Sequence, residues 1–140
     1  MDPQAEDDMS VRLYAALFLV VVPGVCSAAD RWTCKTIENL LKATDRGLAD
    51  VASGQARKRP PTAIATYARE SINMAERFST RNPLPKHLVG ALSAMAETAS
   101  SQALMTTAAP ELLRHGLVVQ AAMPQICPAS EVPNLTRHAS

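Results

Sequence analysis

Aromatic residues and glycine are scarce in this chain of 140 residues, which contains one tryptophan, two tyrosines, two phenylalanines and five glycines. Strands favour aromatic and β-branched residues, whereas alanine, leucine and methionine favour helices, so the composition indicates an all-α domain. So few glycines leave little material for a phosphate-binding loop, and neither a Gly-x-Ser-x-Gly nor a His-Glu-x-x-His motif occurs. We therefore expect a protein without catalytic activity.

The ligand patterns of common metal and cofactor sites are also missing. The sequence has three cysteines and three histidines, but it contains no Cys-x-x-Cys and no His-x₃-His pair. Structural and catalytic zinc sites use such closely spaced ligands. We therefore expect no zinc site and no bound cofactor.

The first thirty residues have the pattern of a secretory signal peptide. A single basic residue, Arg12, precedes the uninterrupted apolar run Leu13–Val22, and small residues follow further on. A basic start, about ten apolar residues and a small-x-small site together define a cleavable signal. The sequence therefore predicts a signal peptide over 1–28, cleaved after Ala28 or Ala29, and a periplasmic or secreted product.

Two features of this leader leave alternatives open. Four acidic residues come before Met9, which is the wrong sign for the start of a signal peptide, so we expect translation to begin at Met9. An uncleaved membrane anchor would use the same segment, but its strongly apolar part is shorter than the roughly 20 residues of a spanning helix. Acylation of Cys26 would give a lipoprotein, although the preceding Val25 is larger than the small residue that a bacterial lipobox has.

Two cysteines, Cys34 and Cys127, remain once the leader is removed. An even pair in an exported protein predicts a disulfide. Closing a loop of about 93 residues stabilises a fold by roughly 4–5 kcal/mol on chain-entropy grounds. A redox-active or metal-binding thiol pair is the alternative.

Apolar residues recur at spacings of three and four along four segments of the mature chain, which predicts four amphipathic helices. The first begins at a cap on Asp30 or Thr33 and ends at Gly54. Its inner stripe consists of Cys34, Ile37, Leu41, Thr44, Leu48 and Val51. The other three span about 62–79, about 86–107 and about 110–122.

Prolines set the expected end of the domain. Pro110 opens the fourth helix, since the first turn needs no N–H from that residue, and Pro124 ends it. From 128 to 140, polar residues and prolines predict a disordered tail. The helical domain is therefore expected over 29–127.

Four helices joined by short loops pack most simply as an up-down-up-down four-helix bundle. This topology returns the end of the fourth helix to the end at which the first begins, so it brings Cys34 and Cys127 together. Helix periodicity and cysteine position therefore favour the same fold, a small all-α bundle closed by one disulfide.

The same bundle gathers Cys34, His87, Met123 and Cys127 at one end. If the cysteines were reduced, two thiolates with an imidazole and a thioether would suit a soft ion such as Cu(I). The alternative is a disulfide, a solvated histidine and a methionine that fills the core.

Removing the leader changes the charge of the protein. The leader holds four of the thirteen acidic residues and one of the fourteen basic residues, which leaves 13 basic and 9 acidic side chains, a formal net charge of +4. That is too little positive charge to indicate nucleic-acid binding. The basic run Arg57, Lys58 and Arg59 lies in a predicted loop and is a candidate partner-binding site; a processing site and a solvated loop are the alternatives.

The start of the first helix carries a resemblance to a known family. Trp32-Thr33-Cys34, followed by Leu40 and Leu41, resembles the start of the HdeA-type periplasmic acid-stress chaperones. The resemblance covers only this short segment, and the second cysteine lies much farther along this chain. It implies a small helical protein with a single disulfide that exposes apolar surface at low pH.

The sequence thus favours an exported, small helical module that binds another protein through a helical face or through the basic loop, with a homodimer as a further possibility. It predicts no nucleic-acid partner and no stable membrane anchor after cleavage. Two alternatives stay open, a metal or haem carrier or sensor and an HdeA-like acid-stress periplasmic chaperone.

Overall fold

The computed structural model describes residues 30–55, 60–78 and 83–139, and within these ranges the chain is helical and has no strand. The predicted signal peptide and the expected start at Met9 lie outside the described residues. None of the described helices is both long enough and apolar enough to cross a membrane. In chain order the helices are α1 Arg31–Ala52, α2 Thr62–Phe78, α3 Lys86–Ser101 and α4 Met105–Ile126, followed by a short 3₁₀ helix, Leu135–His138.

Both ends of α1 are set by residues that the sequence marks. Asp30 caps the start, where its Oδ1 accepts a hydrogen bond from the Thr33 N–H at 2.7 Å. At the other end Gly54 has a φ of 79°, a left-handed conformation that glycine adopts without the steric cost of a Cβ. The Gln55 N–H then donates to the Asp50 carbonyl at 2.8 Å, which completes a Schellman-type stop.

The boundary between α3 and α4 differs from the sequence-based prediction. α3 ends at Ser101 and α4 begins at Met105, so Pro110 lies inside α4 instead of opening it. Pro124 likewise lies inside the last turn of α4 and does not end it. A proline in a helix interior costs about 3 kcal/mol, but both prolines are exposed, so water can bind the carbonyl that each leaves free.

Burial of apolar residues beyond each proline explains why the helix continues. Before Pro110, Met105 and Ala108 are fully buried, and after Pro124 so is Ile126. Burying a large apolar side chain contributes about 1.5–3 kcal/mol. The apolar contacts therefore offset the cost of each proline. For this reason neither proline marks a helix end, although the sequence pattern predicted that both would.

The core consists of aliphatic side chains, methionine and alanine, as the composition predicts. The predicted inner stripe of α1 is buried at Ile37, Leu41, Thr44 and Leu48. The polar member of this stripe is satisfied, because the Thr44 hydroxyl donates to the Leu40 carbonyl at 2.8 Å. Large side chains from the other helices complete the core: Ile64 of α2, Leu88, Leu92 and Met95 of α3, and Leu112, Val119 and Ile126 of α4.

Each of the four helices packs against two others, so that they form a closed ring. α2 packs against α1 and α3, and α4 packs against α3 and α1. The contact between the first and the last helix is also covalent, because Cys34 of α1 is bonded to Cys127, which directly follows α4, with the two Cα atoms 5.8 Å apart. Within 30–55, 60–78 and 83–139, the predicted disulfide and the prediction of four helices without strands are therefore confirmed.

The C-terminal segment differs from the predicted disordered tail. Residues 128–139, called the strap below, follow a defined course in which the 3₁₀ helix contacts α1 and α4. Leu135 is fully buried, and its Cδ1 lies only 2.8 Å from the position that a Cβ would take on Gly116. Polar residues and prolines predicted disorder, but the groups that hold the strap lie far earlier in the chain, where local composition does not reveal them.

Two glycines inside helices give different predictions for alanine substitution. A Cβ on Gly90 in α3 would meet no atom within 4 Å, so Gly90→Ala should stabilise the protein by about 1 kcal/mol through helix propensity. A Cβ on Gly47 in α1 would lie 2.8 Å from Cε and 2.9 Å from Sδ of the buried Met105. Gly47→Ala should therefore be less stable than Gly90→Ala, because the end of the Met105 side chain must move, and overpacking of about 1–3 kcal/mol opposes the same gain in propensity.

Thermal unfolding followed by circular dichroism checks this pair of variants. We expect the Tm to rise for Gly90→Ala and to be lower for Gly47→Ala than for Gly90→Ala. An equal rise in both variants would contradict the close approach of α1 and α4 at Gly47.

Candidate functional site

The single tryptophan of the chain lies on the surface instead of in the core. Trp32 is the second residue of α1 and is 70 % exposed. With Asp30 it borders a recess of about 400 Å³ whose other wall is the end of α2, with Met74, Arg77 and Phe78. The three α2 residues have the i, i+3, i+4 spacing of one helix face. These five residues are called the Trp32 surface below.

The register of α1 puts Trp32 outside the core. Thr33 and Ile37 lie one turn apart and are fully buried, so they define the inward side of the helix. Each residue advances an α-helix by about 100°, which directs the residue before Thr33 sideways, toward the end of α2. Because Asp30 caps the helix two residues before Trp32, the indole is carried by a capped helix end and not by a loop.

The residue types of the Trp32 surface are those of protein-binding hot spots. Tryptophan, phenylalanine, methionine and arginine are enriched in interface cores. Met74 and Phe78 are half-buried and Arg77 is exposed, so apolar groups anchored in the fold lie beside an accessible cation. Across the described residues, Trp32 and Val118 are the exposed large hydrophobic side chains, and Val118 is exposed to only 37 %. A cluster of exposed apolar groups is more informative than such a single residue.

A second recess, of about 350 Å³, lies beside the disulfide, between α1 and the segment that follows Cys127. Glu38 on its wall is nearly buried and accepts hydrogen bonds from Lys35 Nζ at 3.3 Å and from the Glu131 backbone N–H at 3.0 Å. Burial alone would raise the pKa of this carboxyl, but the Glu131 N–H and the ammonium groups of Lys35 and Lys42 outweigh burial and lower the pKa below its ordinary value. The charge of Glu38 is thus satisfied within the chain, and its contact with Glu131 holds the strap.

Asp45 lies seven residues further along α1, about two helical turns, and holds the other end of the strap. Its Oδ2 lies 2.8 Å from the Arg137 guanidinium and its Oδ1 lies 2.8 Å from His138 Nε2. Burial would raise the pKa of Asp45, but the hydrogen bonds and charges of His138 and Arg137 outweigh burial and lower that pKa below its ordinary value. Both carboxylates therefore act as structural anchors.

Some of the candidate site residues from the sequence analysis lie outside the part of the chain that the structure describes, and the others differ in burial. Arg57, Lys58 and Arg59, the candidate partner-binding run, lie outside the described residues. His87 is exposed near the start of α3, whereas Met123 is buried in the core.

The four-residue copper site is not assembled in this structure. The disulfide occupies both sulfurs of Cys34 and Cys127, so neither thiolate is free to bind a soft ion. Within 30–55, 60–78 and 83–139, no group of three cysteine, histidine, aspartate or glutamate side chains could hold a metal ion.

Sequence analysis did not identify Trp32, Glu38 or Asp45 as site residues. A signal existed for the two acids, because their spacing of seven places them on one side of α1, beside the apolar stripe. For Trp32 the signal is its position in α1, directly before the inward-facing Thr33, because this position turns the indole away from the core. Neither signal shows which groups from α2 or from the strap come to meet these side chains.

Because the chain has a single tryptophan, its fluorescence reports on the Trp32 surface alone. We expect acrylamide to quench the folded protein nearly as efficiently as the guanidinium-unfolded protein, since Trp32 is 70 % exposed. Stern–Volmer constants in the two states check this. Quenching that is several-fold weaker in the folded protein would contradict the exposed position of the indole.

Comparison of the chain with protein-family models, with curated proteins and with solved structures finds no match in any of the three. The function is therefore inferred from the residues of this chain and from their geometry. Glu38 and Asp45 already have partners within the chain, whereas the indole of Trp32 is exposed. The Trp32 surface is accordingly the best candidate for a functional site among the described residues.

Proposed function

We propose that this protein is an exported, non-catalytic binding module whose partner, another protein, docks on the Trp32 surface. The observation that carries the proposal is the 70 % exposure of Trp32 beside the half-buried Met74 and Phe78. Covering apolar surface contributes about 25 cal/mol per Å², and aromatic anchors at the centre of an interface carry most of the binding energy. A rigid helix end presents these groups, which keeps the entropy cost of docking low.

Charge restricts the chemistry of the partner. The exposed guanidinium of Arg77 borders the apolar groups, and the chain carries a formal net charge of +4 once the predicted leader is removed. A guanidinium pairs best with a carboxylate, which it can bind through two parallel hydrogen bonds. We therefore expect a partner segment that presents an apolar side chain next to an acidic one.

The proposal includes an up-down-up-down course of the four helices. Trp32 at the start of α1 shares a recess with Arg77 at the end of α2. Ala52 at the end of α1 shares another with Ala109 near the start of α4, and the disulfide joins the opposite ends of those two helices. Each pairing joins helix ends that antiparallel neighbours bring together, which supports this topology.

Export to the periplasm or the exterior is proposed from the leader over 1–28. The disulfide is compatible with it, because such bonds persist in oxidising compartments. The basic run at 57–59 remains a further candidate contact for the partner.

An acid-stress chaperone is a second candidate, because one observation favours it. Two carboxylates of α1, Glu38 and Asp45, fasten the strap, and acid removes their charge. Exposure of apolar surface at low pH is what the resemblance of Trp32-Thr33-Cys34 to HdeA-type proteins implies.

Substitution of Trp32 tests the proposed docking surface. Trp32→Ala removes the central anchor and should weaken binding by at least about 2 kcal/mol, a roughly 30-fold rise in Kd. Val118→Ala is the matched control, because it removes the other exposed large hydrophobic side chain, from α4. The control should leave the Kd within about threefold, as expected for a contact outside the interface.

The measurement begins with crosslinking in the exported fraction to identify the protein that the wild type binds. Isothermal titration with that purified partner then gives the Kd of the wild type and of both variants. If Trp32→Ala binds as tightly as the wild type, or if Val118→Ala loses as much affinity, the Trp32 surface is not the docking site. If the captured protein is a second copy of this chain, Trp32→Ala should convert the dimer to monomer in sedimentation.

A further inference from the structure

The apolar contacts of the strap with the helices come from Leu135, which is fully buried, and from the half-buried Val132, which also packs against the core. Leu135 occupies a notch over Gly116, where a Cβ would lie 2.8 Å from Leu135 Cδ1, 3.6 Å from Met95 Cε and 3.8 Å from Thr44 Cγ2. The Leu135 backbone N–H also donates to the side-chain carbonyl of Gln120 on α4. A single leucine therefore closes a small apolar notch between α1, α3 and α4.

The charged anchors of the strap are both on α1. Glu38 accepts a hydrogen bond from the Glu131 N–H at 3.0 Å. Asp45 accepts hydrogen bonds from the Arg137 guanidinium at 2.8 and 2.9 Å and contacts His138 at 2.8 Å. In each case a carboxylate on the helix holds a donor on the strap, so the attachment depends on the negative charge of two side chains.

Most of the buried core lies within the helices and not in the strap. Leu135 is the one buried hydrophobic residue of 128–139, and the other buried hydrophobic residues described lie in the helices, at Leu84 or at Cys127. The disulfide precedes the strap in the chain, so α1 and α4 stay linked whether the strap is bound or not. Detachment of the strap is therefore separable from unfolding of the bundle.

Acid protonates both carboxylates and therefore weakens both attachments of the strap. The ordinary pKa values are 4.5 for Glu38 and 3.8 for Asp45, and although burial opposes the change, both pKa values are lowered in the structure. A group of this kind stabilises the bound state fully above its ordinary pKa, and the contribution is lost as the pH falls through the lowered value. Both anchors therefore weaken below about pH 4 and are intact at neutral pH.

Neighbouring charges add to the effect at Asp45. Arg137 and His138 face it from the strap, and the Arg137 guanidinium is always cationic. When Asp45 is protonated, the Arg137 guanidinium loses its counter-charge, which favours detachment.

The charges around Glu38 come from its own helix. Lys35 Nζ lies 3.3 Å and Lys42 Nζ 3.6 Å from Glu38 Oε1, so protonation of Glu38 leaves two ammonium groups near the strap. The strap contributes the Glu131 N–H, which is a neutral donor. Its hydrogen bond to the ionised Glu38 carboxylate is stronger than its hydrogen bond to the protonated carboxyl group would be. The attachment at this end also weakens in acid.

We propose that acid releases the strap from α1 and α4 while the four helices stay folded, which uncovers the apolar notch at Gly116. The strap is then a pH-sensitive cover, closed at neutral pH by Glu38 and Asp45 and opened when they lose their charge. The release does not depend on docking at the Trp32 surface. Only its biological role rests on the second candidate function, the acid-stress chaperone.

Hydrogen exchange of the full exported chain, read by mass spectrometry, tests the release. Exchange times are scaled for the intrinsic pH dependence of amide exchange, so that protection can be compared between about pH 7 and about pH 3. We expect peptides from the strap to lose protection about tenfold or more below about pH 4 while peptides from α1 and α4 keep theirs. Loss of protection in the strap and in the helices at the same pH would overturn the proposal, and it would leave the proposal for Trp32 untouched.

Hydrogen exchange of the Asp45→Asn variant is an independent test at neutral pH, because the substitution removes the charge of Asp45 without acid. The strap peptides should then lose protection about tenfold at pH 7. Glu111→Gln is the matched control, since Glu111 also pairs with an arginine and a histidine, Arg114 at 2.6 Å and His115 at 3.3 Å, but within α4. Unchanged strap protection in Asp45→Asn, or equal loss in Glu111→Gln, contradicts the release mechanism, and so does unfolding of the helices in Asp45→Asn.

Discussion

The contact between α1 and α4 is the constraint on which the rest of the fold depends. It joins the first helix to the last, across a separation of 93 residues at the disulfide, so it closes the longest loop and carries the largest entropy cost of closure. The bond between Cys34 and Cys127 and the packing of the two helices, close at Gly47 and Met105, hold it, and the strap contacts both helices. With this contact closed, α2 and α3 complete the ring of helices.

A single helix, α1, carries on three different sides the residues of the core, of the strap anchors and of the proposed docking surface. Its inward stripe builds the core, Glu38 and Asp45 hold the strap beside α4, and Trp32 meets the end of α2. Because the Trp32 surface and the strap lie on different sides of α1, release of the strap and docking of a partner involve different contacts. The rigidity of α1, which the disulfide ties to α4, keeps both sets of side chains in place.

Local patterns in the sequence were sufficient for much of the fold. The spacing of Ile37, Leu41 and Leu48 predicted α1, and the two cysteines of the mature chain predicted the disulfide, because these features depend on residues of one segment or on a single pair. The errors arose where distant contacts decide the outcome. Pro110 did not open α4, since burial of Met105 extends the helix ahead of it, and the tail was not disordered, since Gly116 provides room for Leu135. The Trp32 surface was missed for the same reason, because it exists only where α1 and α2 meet.

The most direct test of this account is the stability of the oxidised protein against that of the reduced protein. Guanidinium unfolding with and without dithiothreitol, followed by circular dichroism, gives the free energy of unfolding in each state. If closure of α1 onto α4 is the governing constraint, reduction should lower the free energy of unfolding by roughly 4–5 kcal/mol, as expected for a loop of about 93 residues. A change of less than about 1 kcal/mol would contradict the central role of the contact between the first and last helices.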